Sequence, residues 1–154
     1  MTPPRAIRFY GQVSEHAALD WEWVDGQLQR AGTYWVTACT TGHPHPRPVW
    51  GVWQSNQLCL SIGTPVTREA LAVDPAVTVH LDSGTEVVIV EGRVSGSSDD
   101  AEILAAYDEK YDWSYDLSTY GSLTRISPVT VLAWRTAGWA GRESFHQSGR
   151  WEFS

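Results

Sequence analysis

Three features of the chain predict a mainly β fold, a Greek-key barrel of six or seven short antiparallel strands with helices at its periphery. The first is a series of period-two segments rich in β-branched and aromatic residues, among them Thr33 to Thr40, Leu58 to Ile62, Ala76 to Leu81 and Glu86 to Val94. That composition suits a pleated, half-buried surface. The second is the Gly, Pro, Asn and Asp punctuation between these segments, which turns one strand back on the next. The third is that three helical stretches occur at irregular intervals, which argues against the regular strand–helix alternation of a doubly wound sheet.

Taken in order, residues 1–14 hold Pro3, Pro4 and Gly11 and read as a loose arm. From Ala17 to Ala31 the pattern is helical: Trp21, Val24, Leu28 and Ala31 form one stripe, and Gly32 follows as a stop. Thr33 to Thr40 is the first strand. His45 to Gln54 is the second, with Pro46 and Pro48 placing its first half at an edge because neither can donate to a ladder. Ser55-Asn56 is a turn and Leu58 to Ile62 the third strand. Thr64 is a good N-cap, Pro65 suits the first helical position, and Asp74-Pro75 ends that helix. Strands follow at Ala76 to Leu81 and Glu86 to Val94, then a loop SGSSDD, then a helix from Asp99 to Lys110 opened by Asp99 and Glu102. Tyr111 to Leu123 reads as irregular, aromatic and acidic. Arg125 to Arg135 is a strand, and the tail Glu143 to Phe153 a further one.

The 154 residues suit a single domain spanning 1–154 with a real core. No window approaches the roughly 18 uninterrupted apolar residues of a membrane helix, and the N-terminus lacks a signal-like apolar run, so the expected residence is cytoplasmic with no membrane partner. The net charge of −7 disfavours phosphate backbones, so no nucleic-acid partner is expected. One lysine, Lys110, stands against ten arginines, so an anionic ligand must rely on few cations, on hydroxyls or on backbone N–H groups. Cys39 and Cys59 sit in apolar segments and read as buried thiols. His43 and His45 need a third metal ligand, for which His80 and His146 qualify only if the fold brings them close, and Pro44 between them suits a turn better, so no metal site is expected. Nine tryptophans are more than a core of this size needs and suit an aromatic pocket or a subunit interface.

The segment Tyr34-Trp35-Val36-Thr37-Ala38, followed by Gly42-His43-Pro44-His45-Pro46-Arg47-Pro48-Val49-Trp50-Gly51-Val52-Trp53, resembles the pyridoxamine 5′-phosphate oxidase-like split barrels, and among them the flavin/deazaflavin oxidoreductases. The resemblance continues through Ser61-Ile62-Gly63, Leu71-Ala72-Val73-Asp74-Pro75, Val77 to Leu81 and Val87 to Gly92, covering residues 19–94. It implies a split barrel working as a homodimer, with FMN or coenzyme F-420 at the subunit interface and hydride transfer to or from a small conjugated substrate. The ring would lie along Pro48, Val49 and Trp50, near His45 and Arg47. The phosphate would lie near Ser61, Gly63, Thr64, Thr67 and Arg68, where a helix N-terminus adds free N–H groups. The chain departs from the family pattern here: an Asn position is Ala70 and a basic position is Glu69. The cofactor carries the chemistry in such proteins, so no catalytic triad is expected and no catalytic residue is assigned.

Trp113, Tyr115 and Tyr120 can cover the partner's site as a lid or seal the barrel end. Trp139, between glycines, is a candidate pocket gate. Trp50 and Trp53, three apart on a strand, face opposite sides, one toward core and one toward pocket or interface. The alternative to an enzyme is a non-catalytic binder of a flavin, haem or aromatic metabolite, favoured by the altered basic run.

Overall fold

The alternation read from residues 33–40 is realised in β3 (Tyr34–Cys39), where Tyr34, Val36 and Ala38 are buried and the residues between them are not. The computed structural model describes residues 3–7, 17–136 and 145–154. β4 (Pro44–Val49) pairs antiparallel with β3 along its whole length, from Tyr34 opposite Val49 to Cys39 opposite Pro44. Among the described residues it has no strand on its other side, which is where Pro46 and Pro48 belong.

At Trp50 the chain changes partner. β5 (Gly51–Gln54) leaves the β3 ladder and pairs with β6 (Gln57–Leu60) through a tight turn in which Ser55 and Asn56 both have positive φ, the geometry that matches strand twist in a hairpin. The main sheet runs from β4 through β3 to β7 (Ala76–His80), β8 (Glu86–Ser98) and β9 (Leu123–Thr136), and the start of β9 pairs back with β6. One extended segment, residues 44–54, thus pairs with β3 by its first half and with β6 by its second, and splits at Trp50. β9 continues into β10 (Phe145–Glu152).

Helices pack on the outside. α1 (Trp21–Arg30) buries Val24 and Leu28 as its stripe predicts. α2 (Pro65–Val73) buries Thr67 and Leu71. α3 (Ala101–Tyr111) and α4 (Leu117–Tyr120) flank the split. The main core fills the barrel, from Leu28 and Val36 through Leu58 and Val79 to Val131. Trp21, Trp53, Trp151 and Phe153 close one end, with Trp21 ring centroids 6.4, 5.4 and 5.5 Å from the other three. A second cluster, Val52, Cys59, Tyr107 and Leu123, lies under α3. Among the described residues no helix is long and apolar enough to cross a membrane.

Several expectations are corrected. Ten strands are present among the described residues, not six or seven. The loose arm contains β1 (Arg5–Ile7), which pairs with β10, while residues 8–14 lie outside the described residues. The first helix begins at Trp21, because β2 (Ala17–Ala18) pairs in parallel with Gln147 and Ser148. β8 runs through the expected loop to Ser98, since Gly96, Ser97 and Ser98 find partners in Arg125, Thr124 and Leu123. Asp100, not Asp99, caps α3, accepting from the N–H groups of Glu102 and Ile103. Cys59 is buried but Cys39 is exposed, at the end of β3. In each strand case the missing information was a partner far away in sequence.

Candidate functional site

A cavity of about 380 Å³ opens at the split, within the range of ligand pockets. Pro48, Val49 and Trp50 form one wall, where β4 gives way to β5. Ser61, Gly63 and Thr64, on the connection from β6 to α2, form the floor. Tyr107 of α3, Trp113 and Tyr115 of the following loop, and Tyr120 of α4 form the opposite side.

The loop that reads as irregular is held by its own carboxylates. Asp112 adopts a left-handed conformation that ends α3, and the Trp113 N–H returns to the Asp108 carbonyl at 3.0 Å. The Asp108 carboxylate accepts the Tyr115 N–H at 2.8 Å. Asp116 caps α4, accepting from the Ser118 N–H and from the Ser118 and Thr119 hydroxyls at 2.9, 2.6 and 2.5 Å. These bonds, led by that from the Ser118 hydroxyl, hold its carboxyl below the usual range. The acidic residues therefore shape the aromatic wall rather than face a ligand.

The rings interlock. Trp50 stacks parallel on Tyr111, centroids 4.6 Å apart at 3°, and meets Trp113 edge-on at 6.1 Å and 83°. Tyr115 contacts Tyr107 at 5.1 Å and Tyr120 at 5.6 Å. Burial pushes the Tyr107 hydroxyl up to about 12, so it stays a neutral hydroxyl. Every described lining residue is uncharged, an environment for a planar, largely apolar group.

The structure brings Pro48, Val49, Trp50, Ser61, Gly63, Thr64, Trp113 and Tyr115 together, and leaves other candidates outside. His45, opposite Ala38, is buried, with no partner for Nε2 among the described residues. Burial, with the nearby Arg47 and His43, lowers its pKa, so the imidazole is neutral. Arg47 is exposed and donates to the Pro46 carbonyl at 2.7 Å. Arg68 donates Nε to the Ile62 carbonyl and Nη2 to the Tyr120 carbonyl, the latter at 3.0 Å, tying α2 to α4 beside the cavity. Thr67 is fully buried and its hydroxyl has no partner among the described residues. The expected cradle of Thr64, Thr67 and Arg68 is therefore not assembled: one member borders the cavity, one faces the core and one spans two carbonyls. Glu69 is exposed and is not among the lining residues. Trp139 lies outside the described residues.

No family model and no curated protein matches the sequence. Solved structures do match. A FAD-binding protein from Mesorhizobium loti shares 19% identity over 88% of this chain and 96% of its own, with a TM-score of 0.61. A Listeria innocua protein named after pyridoxamine 5′-phosphate oxidase shares 19% over 73% and 95%, at 0.59. An F-420 reductase shares 15% over 70% and 94%, at 0.58. The chain has the split-barrel fold.

In this split barrel, sequence reasoning missed Tyr107 as a wall and Tyr111 as its support. Their four-residue spacing on a helix was the available signal, since it puts both rings on one face. Thr67 yields a direct expectation. A buried hydroxyl without a partner costs about 1–3 kcal/mol, so Thr67→Val should raise stability by about 1 kcal/mol and Tm by roughly 2–4 °C. Thermal denaturation checks this. An unchanged or lower Tm would mean that the hydroxyl has a partner.

Proposed function

We propose that this split barrel binds the ring of a flavin-type cofactor, FMN or coenzyme F-420, in the cavity at the split, and acts as an oxidoreductase on a small conjugated substrate. The observation that carries the reading is the convergence of Pro48, Val49, Trp50, Ser61, Gly63 and Thr64, drawn from two separate segments, on one uncharged cavity walled by Trp113, Tyr115 and Tyr120. The structural neighbours named for FAD and F-420 support it.

The residues fit the ring better than the phosphate. Trp50 and Pro48 offer flat surface along one edge, and Trp113 and Tyr115 cover the other side. Ser61 and Thr64 offer hydroxyls, and the N-terminal end of α2 at Gly63-Thr64 offers the positive end of a helix dipole. When bound, such a cofactor supplies hydride transfer. The chain's part is to orient the ring, exclude water and leave one ring face open to substrate. Of the residues that line the cavity, Trp50, Trp113 and Tyr120 are exposed. Apolar groups gathered around an opening suit a second copy of the chain, so the reading includes a homodimer that completes the site.

A second reading has its own observation. No cation is among the described lining residues, and Arg68 is engaged by two carbonyls. A non-catalytic binder of a neutral aromatic compound needs nothing more. Titrating the protein separately with FMN, riboflavin and F-420, while following tryptophan fluorescence, tests both. Saturable quenching at micromolar FMN or F-420, together with oxidation of the reduced cofactor by an enone substrate, supports the oxidoreductase. Quenching without turnover supports the binder, and no quenching by any of the three sinks both.

A further inference from the structure

At the split, the Gly51 backbone faces a side where no strand pairs with it among the described residues. Gly51 pairs with Leu60 on one side. Its remaining N–H and C=O are taken by side chains of α3. The Gly51 N–H donates to the Tyr111 hydroxyl at 2.9 Å, and Lys110 Nζ donates to the Gly51 carbonyl at 2.9 Å. The Tyr111 hydroxyl lies within donating distance of the carbonyls of Gly51 and Gly32, at 2.9 and 3.0 Å. Buried backbone groups need such partners. The residue before Gly51 is Trp50, whose carbonyl accepts the Ser61 N–H at 2.9 Å and whose ring lies flat on Tyr111.

We propose that Lys110 and Tyr111 are positioning residues: they stand in for a pairing strand, clamp Gly51, and so fix the Trp50 ring in the orientation that walls the ligand cavity. Neither residue lines that cavity. Their role as determinants of binding rests on the function proposed above, whereas the clamp itself rests on the bonds just described.

Lys110 is an unusual choice for such a task. Nζ also donates to the Tyr34 hydroxyl at 2.9 Å and lies 4.8 and 5.3 Å from the Tyr34 and Tyr111 ring centres. Among the described residues no carboxylate lies within ion-pair distance of it. Asp25 of α1 and Glu109 share a neighbouring cavity with it, but Asp25 accepts from Trp53 Nε1 and Gln29 Nε2. The Tyr34 and Tyr111 hydroxyls are held neutral by burial. Burial lowers the ammonium to about 8 from 10.5. The sign follows: below about pH 8 the clamp uses a charge-assisted bond, and above it a weaker bond from the neutral amine. The folded state gives up this proton before the unfolded chain does, so the stability lost to burying the charge is regained as pH rises from about 8 toward 10.5.

The test uses Lys110→Met and Tyr111→Phe in the full chain. Three quantities are read: the Trp50 indole N–H resonance (assigned by its loss in Trp50→Phe), hydrogen exchange at the Gly51 amide, and the riboflavin dissociation constant. Tyr111→Phe should speed Gly51 exchange about tenfold, the equivalent of one hydrogen bond near 1.4 kcal/mol. Both variants should move the Trp50 resonance and weaken riboflavin binding about tenfold. In the unsubstituted protein the Trp50 resonance should titrate with a midpoint near pH 8, and the titration should vanish in Lys110→Met. An unmoved Trp50 resonance in folded variants, or a midpoint that survives Lys110→Met, overturns the proposal. Tyr111→Phe keeps the ring and its packing, so it decides the matter if Lys110→Met does not fold. Absence of riboflavin, FMN and F-420 binding to the unsubstituted protein counts against the proposed function, while the resonance and exchange measurements still decide the clamp.

Discussion

Gly51→Ala is expected to destabilise the protein by about 3 kcal/mol, at the upper end of overpacking costs. A Cβ at this position would sit 2.4 Å from Leu60 Cδ2 and 2.6 Å from the Cys59 carbonyl oxygen. Leu60 is fully buried, so its side chain has little room to yield. The Cys59 oxygen is backbone, held in the β6 ladder opposite Val52 and Arg125. Relief therefore requires β5 to move away from β6, which strains the bonds from Gly51 to Lys110 and Tyr111. Urea denaturation gives the measurement. A loss below about 0.5 kcal/mol, the usual scatter of a neutral substitution, would show that the hairpin is not as tightly apposed as its register indicates.

The second large effect is on binding. Trp50→Ala should weaken the cofactor or aromatic ligand about 100-fold, since a large ring forming a pocket wall is the kind of residue on which affinity concentrates. Trp50 is 44% exposed, so most of the loss should appear in binding and less in stability. Trp50→Phe should recover most of the affinity because it keeps a ring on Tyr111. Fluorescence titration with FMN and F-420 checks both variants. Equal affinity in Trp50→Ala and the unsubstituted protein would move the ligand site elsewhere.

The two substitutions address neighbouring residues for different reasons. Gly51 matters because the chain changes partner strand there, and its backbone must pass close to the new partner. Trp50 matters because the switch exposes one side chain at the gap. The junction that splits the barrel also creates the cavity, so fold and site meet at one peptide unit.

What could be read locally was read well. The stripe of α1, the alternation of β3, the proline-marked edge of β4, the turn at Ser55-Asn56 and the N-terminus of α2 all follow from short-range rules of period, capping and turn chemistry. β1 and β2 escaped because three- and two-residue strands have no period to detect and exist only because β10 is beside them. The far half of β8 escaped because Ser95 to Ser98 has the composition of a loop and becomes strand through pairing with β9. The site divides the same way. The resemblance carried by sequence pointed to the Pro48-to-Thr64 stretch, six of whose residues line the cavity. The inward turn of Thr67 and the engagement of Arg68 by the Ile62 and Tyr120 carbonyls depend on how α2 packs, which no local pattern encodes.

By itself the sequence determined the class of fold, the order of its main elements and the aromatic, weakly cationic character of whatever site it holds, because these depend on residue type and near-neighbour spacing. The tertiary structure alone decided which rings meet, that α3 rather than a strand completes the backbone at Gly51, and that the expected phosphate cradle is dispersed. Those outcomes depend on contacts such as Lys110 with Gly51 and Arg68 with Tyr120, whose partners lie 59 and 52 residues apart, and such contacts form only when the whole barrel has closed around them.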